Sequence, residues 1–341
     1  MSPFENEAPF VSVVVITKDR HDDLQKAVRS LLDLDYPQER YEVVVVEEGD
    51  APTPLAGVKY VFLPRRNLGL GYARNTGVRH AKGEFIAFTD DDCIVDRLWL
   101  KEMMAALRIP NVGGVAGSTF AQPGSLIGYC EDILGFPGGG HRRYHDAMDR
   151  VVETNLLSGC NCAYRRVVFD KWSFKESSYG RLGGDDCLMG ITVAKECKCL
   201  YVPSAVVYHK PRGSLRKIVS WFTRRRINEL LFEEKGNDCK NYTTLIARPH
   251  RVMLFRALAL VLLPLLLGWI GFAAVSVFGL LWYMFIFAKS LPVVRYFEGY
   301  GVAFLVPVVR AFMDVGALIG EWRYLTQSHE KLGLVLDEYR R

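Results

Sequence analysis

At 341 residues, with 43 lysines and arginines against 38 aspartates and glutamates, the chain has a net charge of only +5, which calls for no nucleic-acid partner. Half of its residues are hydrophobic, and they concentrate beyond about position 245, so an ordinary soluble domain is followed by a far more apolar region. The eight cysteines include the C-x-C pairs Cys160/Cys162 and Cys197/Cys199 rather than C-x-x-C pairs, with no histidine at finger spacing. That disfavours a secreted disulfide scaffold and a zinc finger, and points to reduced cytosolic thiols, many of them buried. The opening MSPFENEAPF has neither a basic n-region nor an apolar h-region, so no signal peptide is expected in it.

Residues 11–16 are a β-branched run, predicting a buried, parallel strand. Thr17, Lys18, Asp19 and Arg20 follow, then a helix over about 22–34 with Leu24, Ala27, Val28, Leu31 and Leu32 on one face. Tyr36-Pro37 ends it. A second strand over 41–46 leads into Glu47, Glu48, Gly49 and Asp50. A third strand is predicted over 59–63, a helix over 72–81 and a fourth strand over 85–89. Strand–helix–strand order with polar residues at each strand's C-terminal end is a βαβ unit, and open α/β sheets bind ligands outside those ends. Neither a G-x-G-x-x-G turn nor a Walker A motif is present, which disfavours a dinucleotide dehydrogenase and a P-loop enzyme.

The fourth strand runs straight into Asp90, Asp91 and Asp92. Three adjacent carboxylates repel one another unless a cation neutralises them. In an extended segment Asp90 and Asp92 fall on one face, because the side-chain period is two. That suits a hard divalent ion that keeps positions free for substrate phosphates. Upstream, residues 67–77 mix glycines and asparagines with Arg74, whose fork geometry suits phosphate. The plain alternative is a solvated acidic turn. Next come a helix over 99–107, a strand over 113–118 and a Gly-rich mobile loop over 135–140. In NLLSGCNCAYRRVVFDKW, Ser158-Gly159 is a turn, and Arg165 and Arg166 start a helix. A loop over 179–184 leads into Asp185 and Asp186, with a helix over about 187–197. These two carboxylates either cap that helix or supply a general base. A strand over 200–208 ends at His209.

Over 214–233, Leu215, Ile218, Val219, Phe222, Ile227, Leu230 and Leu231 recur mostly at helical spacing, with Arg216, Lys217 and Arg224, Arg225 and Arg226 among them. The pattern predicts either a membrane-surface helix or an ordinary surface helix. No charged residue occurs between Ala257 and Ala288. One spanning helix needs about 20 residues, so this run suits two tight helices bent near residues 268–271. Arg248, Arg251, Arg256, Lys289 and Arg295 flank it, and a hairpin would place all of them in the cytoplasm. A third apolar stretch over 301–322 carries Arg310 and Asp314 at pairing distance, so an interfacial or partly buried helix is expected there.

Five blocks, in order, now carry a resemblance. VSVVVITKDR, VVVVEEGD, NLGLGYARNTGVRHAKGEFIAFTDDDCIVDRLWL, SGCNCAYRRVVFD and GGDDCLMGITVAKECKCLYVPSAVVYH together resemble a family 2 glycosyltransferase of the inverting type. The resemblance covers some 200 residues. It implies an α/β GT-A, nucleotide-sugar-binding (Rossmann-like) domain over 1–212. A basic amphipathic interfacial helix and linker would then occupy 213–250, a transmembrane helical hairpin 251–290, and a third apolar helix and tail 291–341. By the same resemblance Thr17, Arg20 and Glu47 would face the base and ribose of a UDP- or GDP-linked sugar, and Arg74 its diphosphate. Asp92 would ligate Mg2+ or Mn2+. Asp90 would hold the sugar or help the metal, and His209 would help bind the metal or diphosphate. Asp185 aligns with the base of the family's E-D motif; Gly184 replaces the glutamate, which leaves Asp186 a rival. WFTRRRINEL lacks the Q-x-x-R-W motif of processive synthases, so transfer of a single sugar is expected. The acceptor would be a lipid-linked glycan or polyprenyl phosphate at the cytoplasmic face of the cell membrane, with membrane lipid as a further partner. A nucleotidyltransferase and a non-catalytic membrane scaffold that has kept the fold are the alternatives.

Overall fold

A computed structural model of the chain describes residues 8–176, 184–234, 252–297 and 301–328. The expected loop at 179–183, the linker before residue 252 with Arg248 and Arg251, and the C-terminal tail lie outside them. The chain divides into two compact units, Met1–Gln122 with Pro137–Lys210, and Pro123–Phe136 with Pro211–Arg341.

The first unit is a mixed sheet with helices on both faces. Its elements are β1 (Val11–Thr17), α1 (His21–Leu32), β2 (Tyr41–Gly49), β3 (Lys59–Pro64), α2 (Leu70–His80), β4 (Phe85–Asp90), β5 (Cys93–Val95), α3 (Trp99–Leu107) and β6 (Val112–Ala121). In the second unit α4 (Leu126–Ile133) follows. The first unit resumes with α5 (Gly140–Ala147), β7 (Val152–Glu153), β8 (Asn161–Arg165), α6 (Val168–Lys171), α7 (Asp185–Val193) and β9 (Lys198–His209). The strand order is β3-β2-β1-β4-β8-β6-β9-β5, with β7 on β9. β1 lies parallel to both β2 and β4, whereas β8 runs antiparallel to β4 and β6.

The strand period of two builds the core. Val11, Val13 and Val15 pack with Leu24, Val28 and Leu31 of α1 and Trp99, Met103 and Met104 of α3. Val14 and Ile16 point the other way, to Ala73 of α2 and Met189 and Val193 of α7. Three expectations change here. β4 ends at Asp90, and Asp91 and Asp92 form a turn into β5, so strand alternation does not set the geometry of Asp90 and Asp92. Arg165 ends a strand rather than starting a helix, because β8 is claimed on both edges by β4 and β6. The Gly-rich segment gives way at Gly140 to α5.

The ladder between β6 and β9 is interrupted: Gly117 pairs with Val202, but Ser118 with Val206. Such a bulge leaves strand carbonyls without ladder partners. Side chains supply them. Ser118 Oγ donates to the Pro203 carbonyl at 2.8 Å, and the buried Asn161 amide donates to the carbonyls of Ser118 at 2.6 Å and Ala205 at 3.0 Å. Its oxygen accepts the Trp99 indole N–H at 2.8 Å.

The second unit contains α4, α8 (Leu215–Glu234), α9 (Val252–Val294) and α10 (Gly301–Thr326). Gly268 breaks α9 with non-helical dihedrals (φ 56°, ψ −131°). A Cβ on Gly271 would lie 2.0 Å from the Leu263 carbonyl oxygen, although residues eight apart on a straight helix are separated by about 12 Å. The chain therefore folds sharply at Gly268. α8 lies along α10, where Gly316 and Gly320 let the backbones of Val219 and Thr223 approach, and Thr223 Oγ1 donates to the Gly316 carbonyl at 3.1 Å. Arg226 is buried between Glu229 and Glu321, at 3.5 and 3.7 Å. Arg212 pairs with Glu131 and stacks on Trp221. Of the basic residues expected on a membrane-facing helix, Arg216 and Lys217 are exposed. Arg310 bonds Asp314 at 2.9 Å. Two stretches, Ala257–Val294 and Gly301–Thr326, are long and apolar enough to cross a membrane.

Asn161→Ala orphans an indole N–H and two buried carbonyls, each costing about 1–3 kcal/mol. The expected result is a loss of about 3 kcal/mol or more in the first unit, read as a lower thermal midpoint. An unchanged midpoint would show that the amide is dispensable at the bulge.

Candidate active site

The parallel strands β1, β2 and β4 deliver Thr17, Glu47 and Asp90 side by side at their C-terminal ends: Thr17 is registered with Glu47, and Ile16 with Asp90. The turn after β4 then crowds in Asp91 and Asp92. Asp91 is buried and accepts the Thr17 hydroxyl at 2.7 Å and Arg20 Nη1 at 3.0 Å. Burial pushes its carboxyl up to about 6, and the Arg20 charge opposes this. Arg20 Nη1 also donates to Asp92 Oδ2 at 2.7 Å. Strand alternation leaves Asp91 without a role; in the folded chain it holds Thr17 and Arg20.

The other oxygen of Asp92 faces His209. β5 pairs antiparallel with β9, placing Cys93 opposite His209, and the Lys210 amide donates to the Asp92 carbonyl at 2.9 Å. Nε2 of His209 lies 3.3 Å from Asp92 Oδ1. Its Nδ1 lies 2.8 Å from the Lys210 carbonyl oxygen, which can only accept, so Nδ1 carries a proton and Nε2 is the atom turned toward the carboxylate. A proton or a cation between Nε2 and Oδ1 satisfies that contact. Ligand atoms of Asp92, Cys93 and His209 lie within 4.8 Å of one another, and this donor set fits a divalent cation.

A second cluster surrounds Arg74 on α2. Arg74, expected at a diphosphate, is buried. Its Nη1 donates to Asp185 Oδ2 at 2.7 Å, and its Nη2 lies 3.5 Å from Asp90 Oδ1. Gly159 makes this possible, because a Cβ there would stand 2.4 Å from Nη2. The Gly159 amide donates to Asp186 Oδ2 at 2.6 Å, and Asp186 Oδ1 accepts the Cys187 amide at 2.8 Å. Asp185 is fully buried, and its Oδ1 has no hydrogen-bond partner among the described residues. Burial lifts its carboxyl to about 6 against the pull of Arg74. Burial raises Asp90 as well, again opposed by Arg74.

Glu47, expected at a base and ribose, has both oxygens engaged by Thr53, at 2.6 and 2.7 Å, and a further bond from the Tyr60 hydroxyl. Glu48 accepts the backbone amides of Arg66 and Asn67 and pairs with Lys18. The structure therefore gathers Thr17, Arg20, Asp92 and His209 into one cluster and Arg74, Asp90 and Asp185 into another, with Asp90 and Asp92 flanking Asp91. Sequence reasoning assigns no site role to Asp91, Cys93 or Gly159. Their signal lies in strand pairing and close approach, which no local period carries.

A profile of the glycosyl transferase family 2 matches residues 12–173. Glycosyltransferase AglE of Haloferax volcanii is 29% identical over 119 residues, covering 32% of this chain and 39% of that protein. Succinoglycan biosynthesis protein ExoO of Rhizobium meliloti is 27% identical over 243 residues, covering 64% of this chain and 65% of that protein. The chain thus spans less than two thirds of either relative. Among solved structures, mannosyltransferase PcManGT from Pyrobaculum calidifontis, in complex with GDP-Man and Mn2+, matches with a TM-score of 0.62 at 19% identity, over 92% of this chain and 87% of that one. That likeness shows the fold, the expected GT-A architecture.

Arg74→Ala leaves Asp185 buried without its counter-charge, and breaking a buried ion pair costs about 3–5 kcal/mol. Adding Asp185→Asn is expected to restore part of that loss. Denaturant unfolding of both single variants and the double variant checks it; strictly additive losses would deny the coupling.

Proposed function

We propose that this protein, a glycosyltransferase carrying a family 2 domain over residues 12–173, moves one sugar from a UDP- or GDP-linked donor to a lipid-linked acceptor, inverting the anomeric centre. The observation that carries the reading is a division of labour among the carboxylates. Asp91 braces Thr17 and Arg20, and Asp92 faces Nε2 of His209. Asp185 keeps one oxygen on Arg74 and the other without a hydrogen-bond partner among the described residues.

Thr17, Arg20 and Glu47 border the donor side of the sheet edge. Arg20, about half exposed, offers the rest of its guanidinium to the donor. Asp92 and His209 would hold Mg2+ or Mn2+, which when bound offsets the charge growing on the departing nucleoside diphosphate. Arg74 orients Asp90 toward the sugar and Asp185 toward the acceptor. Asp185 takes the acceptor hydroxyl proton as that oxygen attacks the anomeric carbon from the face opposite the leaving group. A carboxyl near 6 is matched to base work at neutral pH. Asp186, held by two backbone amides, fixes the Gly159 turn beside Arg74.

The acceptor class rests on the second unit. Leu265, Leu266, Trp269 and Phe272 of α9 are exposed, and an apolar surface of that kind calls for a bilayer. Chain connectivity then tethers the catalytic unit to the membrane that holds a lipid-linked glycan or polyprenyl phosphate, with the catalytic unit in the cytoplasm.

Isothermal titration of the detergent-solubilised protein with UDP, GDP and their sugars, with Mn2+ and then EDTA, tests the donor. Metal-dependent binding of one nucleotide, lost in Asp92→Asn, is the expected result; no binding under any condition would return the protein to a non-catalytic scaffold. Asp185→Asn should keep donor binding and lower turnover by about 100-fold or more. Normal transfer by Asp185→Asn alongside its loss in Asp186→Asn would move the base to Asp186.

The pH dependence has a defined sign. The Asp185 carboxyl is lifted to about 6, so the ionised, proton-accepting form grows as pH rises through that value. Turnover at saturating donor should climb about tenfold per pH unit below about 6 and level off above it. A rate flat from pH 5 to 8, on the order of three units, would exclude Asp185 as the base.

A further inference from the structure

Within the cation cradle on which the proposed function relies, one side chain is not an oxygen or nitrogen ligand. Cys93 stands directly opposite His209 in the β5–β9 ladder, and directly opposed residues of an antiparallel pair project on the same face. Its Sγ lies within 4.8 Å of both the Asp92 carboxylate oxygen and the His209 ring nitrogen. Bonds of about 2.0–2.3 Å in a tetrahedral site separate neighbouring ligand atoms by roughly 3.3–3.8 Å. Closure by about 1 Å therefore brings all three onto one ion. Behind it Cys93 is buried in the core beside Cys160, whose Sγ contacts Ser158 Oγ at 3.3 Å and Thr119 Oγ1 at 3.6 Å.

We propose that Cys93 is a metal ligand, so that the cradle is a carboxylate–thiolate–imidazole site selective for thiophilic divalent ions. Binding forms a sulfur–metal bond and releases the thiol proton to solvent, leaving oxidation states unchanged. Mg2+ takes oxygen ligands and gains nothing from sulfur. Zn2+ and Co2+ gain a strong ligand and displace it. Asp92 and His209 alone account for a Mg2+ or Mn2+ site; Cys93 sets which ion wins when several are present.

Co2+ alone is the probe, titrated into the full chain in detergent. A thiolate ligand produces an intense near-ultraviolet sulfur-to-cobalt charge-transfer band, which carboxylate and imidazole do not. The wild-type protein is expected to show that band. Cys93→Ser should remove it and weaken Co2+ binding by about tenfold or more, while Mg2+ affinity, read by competition, stays the same. Cys160→Ser should keep the band. Asp92→Asn and His209→Gln must weaken it, which keeps the test decisive should Cys93→Ser fail to fold. Co2+ bound without the band overturns the proposal and leaves the oxygen-and-nitrogen cradle standing. A band that survives Cys93→Ser, or is indifferent to Asp92→Asn and His209→Gln, belongs to another cysteine and also overturns it. Failure of Co2+ to bind at all overturns both this proposal and the cradle.

Discussion

A guanidinium removed from water must be compensated where it lies, and the catalytic unit is arranged around that demand at Arg74. Its two carboxylate partners come from the end of β4 and the start of α7, and the bond to Asp185 joins residues 111 positions apart. Removing one partner of a buried pair costs far more than the pair contributes, so the three groups stand or fall as a set. The same demand dictates local sequence. Gly159 carries no side chain because the guanidinium occupies that volume, and its amide is free to hold Asp186. Charges fixed in this way are held in place by the fold itself and need no ligand to order them.

The carboxylates along this edge outnumber the cations. Asp90, Asp91, Asp92, Asp185 and Asp186 gather around the guanidinium groups of Arg20 and Arg74, with His209 beside Asp92. Burial raises Asp90, Asp91 and Asp185, and the arginines only partly offset it. An edge with this balance attracts a cation. The sheet sets the position of Asp92 beside His209, because the three-residue β5 pairs antiparallel with β9.

Much of this architecture is legible in the sequence, for a physical reason. Val11 to Ile16 and Val43 to Val46 are buried on both faces, so their β-branched runs announce central strands, and the polar residues after them mark the strands' C-terminal ends. Asp90, Asp92, Asp185 and His209 are recognisable as residue types. What escapes is pairing over distance. Arg165 looks like the first turn of a helix, yet its guanidinium serves the carbonyls of Leu107 and Val112, more than fifty residues earlier in the chain. Thr17 and Arg20 read as ligand contacts, whereas in the fold they also brace Asp91 across separations of 74 and 71 residues. Glu47 lies six residues from Thr53, but nothing in composition says that its carboxylate turns there. The basic run on α8 shows the same limit: helical periodicity identifies the element, and only packing reveals that Arg226 lies between Glu229 and Glu321.

The glycine seam in the second unit has a further consequence. At Gly316 and Gly320 the contact of α10 with α8 is made by the backbones of Val219 and Thr223, the Cβ atoms of Phe222 and Arg226, and the Thr223 hydroxyl. Neither lipid tails nor a detergent micelle competes for such a contact, since both are as apolar as the helices and offer no better surface match. The geometry of α8 against α10 is therefore set by the pair itself, whatever apolar medium surrounds the second unit.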